Sequence, residues 1–190
     1  MQVEIWSDVV CPWCYLGKRR FERALSDFEH RDDVEVVYRS FELEPDAPHD
    51  HTSPTVETLS RKYGMTPEQA EQAQRQMEQR AAADDLVFRM GELRSGNTRD
   101  AHRLLHLARA RGRQAELAEA LHRAYFTEQR SVFEHAALAD VAEDEQTARA
   151  LGITGVPFFV IDRRYGVSGA QPVEVLSAAL EQAYEASLAT

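Results

Sequence analysis

Strand-like patterning in this 190-residue chain is confined to its two ends. Near the start, Gln2-Val3-Glu4-Ile5-Trp6-Ser7 mixes polar and apolar side chains as a strand does. Val34-Glu35-Val36-Val37-Tyr38-Arg39 predicts a second strand. Between them, from about Pro12 to His30, Cys14, Gly17, Phe21, Ala24, Leu25 and Phe28 recur at spacings of three and four, which predicts a helix. Such a β-α-β unit should be parallel and right-handed. At the other end, Phe158-Phe159-Val160-Ile161 is a continuous apolar run, suited to a strand covered on both faces. After a turn at Asp162-Arg163-Arg164, Tyr165-Gly166-Val167-Ser168-Gly169 reads as its partner strand. A last helix starts at Pro172 and should bury Val173, Leu176, Ala179, Leu180 and Ala183.

Residues 51–142 read as almost wholly helical. Ser53-Pro54 predicts a helix start, and Gly64 its stop. Thr66 and Gln69 form a capping-box pair before a Glu/Gln/Arg-rich helix with a narrow apolar face of Ala70, Ala73 and Met77. Asn97-Thr98 caps a helix with Ala101, Leu104, Leu105 and Ala108 inward, ending at Gly112. The next helix should bury Leu117, Ala118, Leu121, Ala124 and Tyr125. Two short α/β flanks could not each bury a core. The expectation is therefore one discontinuous α/β domain, residues 1–50 and 143–190, interrupted by an all-α domain at 51–142.

Composition excludes several functions. With 22 Lys plus Arg against 32 Asp plus Glu, the net charge is −10, a poor basis for gripping phosphates, so neither nucleic acid nor an anionic membrane surface is an expected partner. No run approaches the ~18 apolar residues of a membrane-spanning helix. The first residues show no basic segment followed by an apolar one, so the expected compartment is the cytoplasm.

The chain has two cysteines, Cys11 and Cys14, in one C-x-x-C. The loop they would close is too small to staple a fold. At a strand–helix junction, Cys11 meets free backbone N–H groups and the positive end of the helix dipole, which favour a thiolate. Cys14, three residues on, continues the buried apolar face. An exposed attacking thiol beside a shielded resolving one is what dithiol exchange requires. Pro12 sets the helix start, Trp13 offers the thiolate no ionisable partner, and Asp8 would oppose the charge if it points inward. Together these predict a moderate lowering of the Cys11 pKa. A zinc site would need two further ligands, for which His49, His51, His102 and His106 are the candidates. No metal is expected, because a second cysteine pair is lacking.

Gly155-Val156-Pro157 precedes the Phe158 strand, where a proline is tolerated. Asn97 reads as a helix cap and His102 as a histidine on an amphipathic helix surface, and both are also candidate neighbours of the dithiol. Lys18, Arg19, Arg20 and Arg23 read as a solvated basic face that could attract acidic substrates.

Ser7-Asp8-Val9-Val10-Cys11-Pro12-Trp13-Cys14, the helical block and Gly155-Val156-Pro157-Phe158-Phe159-Val160 together resemble the DsbA-like thioredoxin-fold oxidoreductases, and most closely their cytoplasmic FrnE-like branch. Ser40-Phe41-Glu42-Leu43-Glu44-Pro45, Asn97-Thr98 with Ala101-His102-Arg103-Leu104, and Ser168-Gly169-Ala170-Gln171-Pro172 are similar to the same branch. The resemblance implies a thioredoxin fold with a helical domain inserted between its βαβ and ββα halves. It implies a cis peptide between Val156 and Pro157, facing the dithiol and binding an extended substrate. It also implies attack by Cys11 and resolution by Cys14. The substrates would be disulfide-containing proteins or small thiols, reset by an external thiol reductant. No bound cofactor is expected beyond the redox-active disulfide, with glutathione as an available co-substrate.

The chain departs from the branch in three places. It is short between Ala142 and Glu143, just before Asp144-Glu145-Gln146. It lacks a second cysteine pair, and Trp13 stands where oxidants of the DsbA type carry His. Two other readings compete with a disulfide oxidoreductase or isomerase. One is a glutathione-dependent isomerase or transferase of the hydroxychromene carboxylate isomerase and kappa-class type, which usually has Ser at the position of Cys11. The other is a helical interaction module with an inert dithiol.

Overall fold

A computed structural model describes residues 1–133 and 156–188. The described residues fall into two compact units. One holds residues 1–41 and the C-terminal described segment, and the other begins at Glu42.

In the first unit, β1 (Gln2–Ser7), α1 (Pro12–Asp27) and β2 (Glu35–Ser40) form the expected parallel β-α-β, with Val3 beside Val36 and Ile5 beside Tyr38. α1 stops three residues short of the expected end. Phe28 turns extended, its N–H donating to the Leu25 carbonyl, and a 3-10 turn at Arg31–Asp33 returns the chain to β2. β5 (Phe158–Ile161) adds antiparallel to β1, and β6 (Tyr165–Ser168) antiparallel to β5. The order is β2-β1-β5-β6. Asp162 and Arg163 both have positive φ, and Arg164 N–H closes the hairpin onto the Ile161 carbonyl. The final helix, α6 (Val173–Leu188), packs beside α1 and buries Leu176, Leu180 and Ala183.

Alternation sorts β1 onto two faces. Ile5 lies beside Phe159, whose ring meets Phe21 of α1 at 5.5 Å, so Val3, Ile5 and Ser7 share the α1 side. Trp6 on the other side packs with Val160, Phe41, Val156 and Phe158. Glu4 is buried on that second side and accepts from Arg39 at 2.7 Å and Arg163 at 3.3 Å.

The second unit holds α2 (Thr55–Tyr63), α3 (Pro67–Ala82), α4 (Arg99–Arg109) and α5 (Gln114–Phe126). Gly64 ends α2 in the left-handed conformation (φ 65°), and the Thr66–Gln69 capping box starts α3. Four expectations are corrected here. The unit claims residues 42–50, which the sequence assigned to the first domain, because Lys62 binds the Leu43 carbonyl and Glu44 while Asn97 binds the Pro45 and Ala47 carbonyls. The helix expected to be capped by Ser53 starts one residue later, at Thr55 with Pro54 as its N-cap, and Ser53–Pro54 forms the short β3, paired with β4 (Arg94–Ser95), where Arg94 grips Thr52. The stretch holding Leu86, Phe88, Met90 and Leu93 is non-helical, with those four buried; Arg89 N–H donates to Phe126 and Met90 N–H to Glu78. On α4 the buried stripe is Ala101, His102 and Leu105, leaving Leu104 exposed; on α5, Leu117, Leu121 and Ala124 are half-buried while His122 and Phe126 are buried.

No described helix is long and apolar enough to cross a membrane.

Candidate active site

The dithiol sits where β1 hands over to α1. Four residues after Ser7, Cys11 takes the N-cap position of α1 in an extended conformation (φ −87°, ψ 113°), with Pro12 at the helix start. Its N–H donates to the Asp8 carbonyl at 3.2 Å, and its own carbonyl accepts from Cys14 at 3.0 Å and Tyr15 at 3.3 Å. The Cys11 side chain does not cap the helix, and no acidic residue stands in the first turn. As the N-cap residue it stands at the positive end of the α1 dipole.

Both cysteines are free thiols, and both are buried: Cys11 is 4% exposed and Cys14 2%. The expected contrast between an exposed attacker and a shielded resolver is therefore corrected. Cys11 is enclosed because the chain returns beside it; its Sγ is 3.9 Å from the Val156 carbonyl oxygen, a contact suited to S–H donation. The exposed member of the motif is Trp13, at 40%.

The two thiols differ in their surroundings instead. Burial is the largest cause raising the Cys14 pKa well above its ordinary value; the hydrogen bond and the charge of neighbouring Cys11 add to it. A hydrogen bond from the Asp8 backbone and one from the Ser7 side chain act the other way. Asp8 thus serves both cysteines through its main chain.

The Val156–Pro157 peptide is cis. Gly155, the first residue of that motif, lies outside the described residues, as do the junction of Ala142 and Glu143 and the stretch Asp144-Glu145-Gln146. Pro157 is set against α1: a Cβ on Gly17 would come within 2.8 Å of its ring. The Pro157 carbonyl accepts from Gly169 N–H at 2.8 Å, and Arg20 donates to the Ala170 carbonyl at 2.8 Å. This removes Arg20 from the solvated basic face. Lys18 leaves it too, buried at 2% exposure with its ammonium 2.6 Å from Glu22 one turn on.

His102 and Asn97 belong to the second unit. His102 is buried on α4 rather than lying on a helix surface. Asn97 lies one residue before the N-cap of α4, which is Thr98; its side-chain oxygen accepts from Arg99 N–H, and its amide holds two loop carbonyls. Among the described residues, no group of three or more His, Cys, Asp or Glu is placed to hold a metal.

Two residues of the site were not singled out from sequence. Gly17, a glycine inside a helix, is a signal for close approach. Ser7, at the end of a strand, carries no such signal.

This arrangement is matched along most of the chain by one family, the DsbA-like thioredoxin domain, over residues 2–145 and 139–181. The chain belongs to that family. A DsbA-like chain of known structure, described as a "probable DsbA oxidoreductase" from Streptomyces coelicolor, is 48% identical, with a TM-score of 0.89 over 97% of this chain and 90% of that one. A 2-hydroxychromene-2-carboxylate isomerase superposes with a TM-score of 0.65 at 15% identity, over all of both chains. The cytosolic disulfide reductase DsbM from Pseudomonas aeruginosa, solved with GSH, gives 0.59 at 16% identity, over 97% of this chain and 100% of that one. These last two likenesses concern the DsbA-like fold alone. The uncharacterized protein YwbO of Bacillus subtilis is 42% identical over 45 residues, which span 24% of this chain but only 20% of that protein.

Proposed function

We propose that the chain is a thiol–disulfide oxidoreductase of the FrnE-like branch, working in a reducing cytoplasm on disulfide-containing proteins or small disulfides. The observation that carries the reading is Cys11, a free thiol at the α1 N-cap, with the Val156 carbonyl beside its sulfur and a second thiol behind it on the same helix.

The Cys11 thiolate attacks one sulfur of a substrate disulfide. The substrate S–S bond breaks, one substrate thiolate leaves, and a mixed disulfide joins Cys11 to the other half. Cys14 loses its proton to solvent and attacks Cys11 Sγ, releasing the second substrate thiolate. The substrate gains two electrons and the enzyme is left as the Cys11–Cys14 disulfide. An external thiol reductant restores the dithiol, since no third cysteine exists to do so. Val156 and Pro157 line the approach to Cys11, Trp13 supplies an exposed apolar surface there, and Pro12 and Asp8 hold the loop that presents the sulfur.

The glutathione-dependent isomerase reading fits the same fold, but both thiols are retained here, and only exchange chemistry uses the second. Insulin reduction by the wild type and by Cys11→Ser tests the proposal. The variant should lose essentially all activity. Equal turnover by both would overturn it, and glutathione-dependent turnover of a chromene substrate would favour the alternative.

A further inference from the structure

We infer that Arg20 is a positioning residue for disulfide exchange, strapping the Val156–Pro157 wall against Cys11 through the loop at Gly169 and Ala170. The inference rests on the exchange reaction proposed above and adds a residue to it.

The strap is a closed circuit that begins and ends on α1. Arg20 Nη1 donates to the Ala170 carbonyl at 2.8 Å. The neighbouring Gly169 N–H donates to the Pro157 carbonyl at 2.8 Å. Val156, the residue before Pro157, sets its own carbonyl 3.9 Å from the Cys11 sulfur. Cys11 is the N-cap of α1, and Arg20 lies roughly 13 Å further along the same helix. Between them Gly17 touches both returning segments: a Cβ there would meet the Pro157 ring at 2.8 Å and Ala170 Cβ at 3.5 Å. The loop itself is tight. Gln171 N–H donates to the Gly169 carbonyl at 2.9 Å, and Gln171 Nε2 to the Ser168 carbonyl at 2.6 Å. A pull at Ala170 therefore reaches Pro157 with little slack.

The rest of the packing fixes the strand and not the wall. β5 is held by its register with β1, from Phe158 to Ile161, and by Phe159 against Phe21. Val156 and Pro157 precede that register. Val156 also packs against Trp6, but an apolar contact is non-directional and tolerates sliding. A guanidinium–carbonyl bond is charge-assisted and directional, so it can set where the loop stands. Loosening the strap has two consequences of opposite sign. A small reagent reaches Cys11 more easily, because the wall no longer encloses the sulfur. An extended disulfide substrate reacts more slowly, because the wall is out of place. A loss of overall stability would instead expose both thiols together.

Alkylation by limiting iodoacetamide, mapped to each cysteine by mass spectrometry, reads the first consequence, and reduction of a disulfide-bonded peptide reads the second. In Arg20→Ala, Cys11 should be alkylated several-fold faster while Cys14 stays protected. Peptide turnover should fall by about tenfold, less than a misplacement of about 1 Å can cost. Arg20→Lys, which keeps a charged donor, should restore both. Gly169→Ala cuts the same strap elsewhere: the methyl has room, its nearest neighbour being Gln171 Nε2 at 3.5 Å, but a φ of 84° disfavours any side chain. It should show the same pattern, and the double variant should be no worse than either single one, as for two links in series. Unchanged Cys11 alkylation in Arg20→Ala, equal gains at both cysteines, or full additivity in the double variant overturns the positioning role. A wild type that leaves the peptide disulfide intact overturns the exchange reading, and this role with it.

Discussion

The α/β unit completes its site with residues far along the chain, whereas the helical unit is shaped largely by signals a few positions apart. Cys11 meets Val156, 145 positions on, and Arg20 meets Ala170, 150 positions on. Gln2 and Asp162 exchange two hydrogen bonds between β1 and the end of β5. In the helical unit, Thr66 caps onto Gln69 and Arg113 pairs with Glu116, each three residues away. Its longer ties fasten the non-helical segments, as Asn97 does with Pro45 and Ala47 and Arg94 with Thr52. A site assembled from distant segments depends on how closely they approach. A unit built from local signals depends on each signal separately.

The sharpest way to break this comparison is at Gly17. A methyl group there would press on the Pro157 ring at 2.8 Å, and the ring cannot swing away while its carbonyl holds Gly169. Gly17→Ala should cost about 2 kcal/mol of stability, as overpacking typically does, and should slow disulfide exchange by displacing Val156. Denaturant midpoint and insulin turnover measure the two effects. Unchanged values in both would mean that the approach of α1 to Pro157 does not shape the site.

A smaller effect is expected at Asn97. Asn97→Ala removes the acceptor for Arg99 N–H and two donors to loop carbonyls, costing about 1–1.5 kcal/mol. Loss of hydrogen-exchange protection should concentrate in residues 43–50. Uniform loss across the unit would mean that Asn97 supports the helices rather than the loop.

What was legible in the sequence follows the same division. Strand alternation, the Gly64 stop and the Thr66–Gln69 box are local, and the structure carries each. Ser53-Pro54 has the composition of a helix start, and α2 does begin at the next residue, but its pairing as a short strand depends on a distant segment: Arg94 Nε reaches Thr52 at 2.7 Å. Leu104 lies exposed because neighbouring His102 takes the inward place on α4. At the site, spacing placed both cysteines on the α1 N-terminal turn but could not show that residues 156–157 enclose Cys11. Nor could it show Lys18 buried beside Glu22. Charge in a sequence reads as exposure unless the partner is known.

The central claim is the division of labour between the two thiols, and trapping tests it most directly. Cys14→Ser and Cys11→Ser are each incubated with a disulfide-bonded peptide, and the adducts are located by mass spectrometry. Cys14→Ser should accumulate a stable mixed disulfide on Cys11, while Cys11→Ser should remain almost unmodified at neutral pH. Equal or faster adduct formation on Cys14 in the Cys11→Ser protein would contradict it.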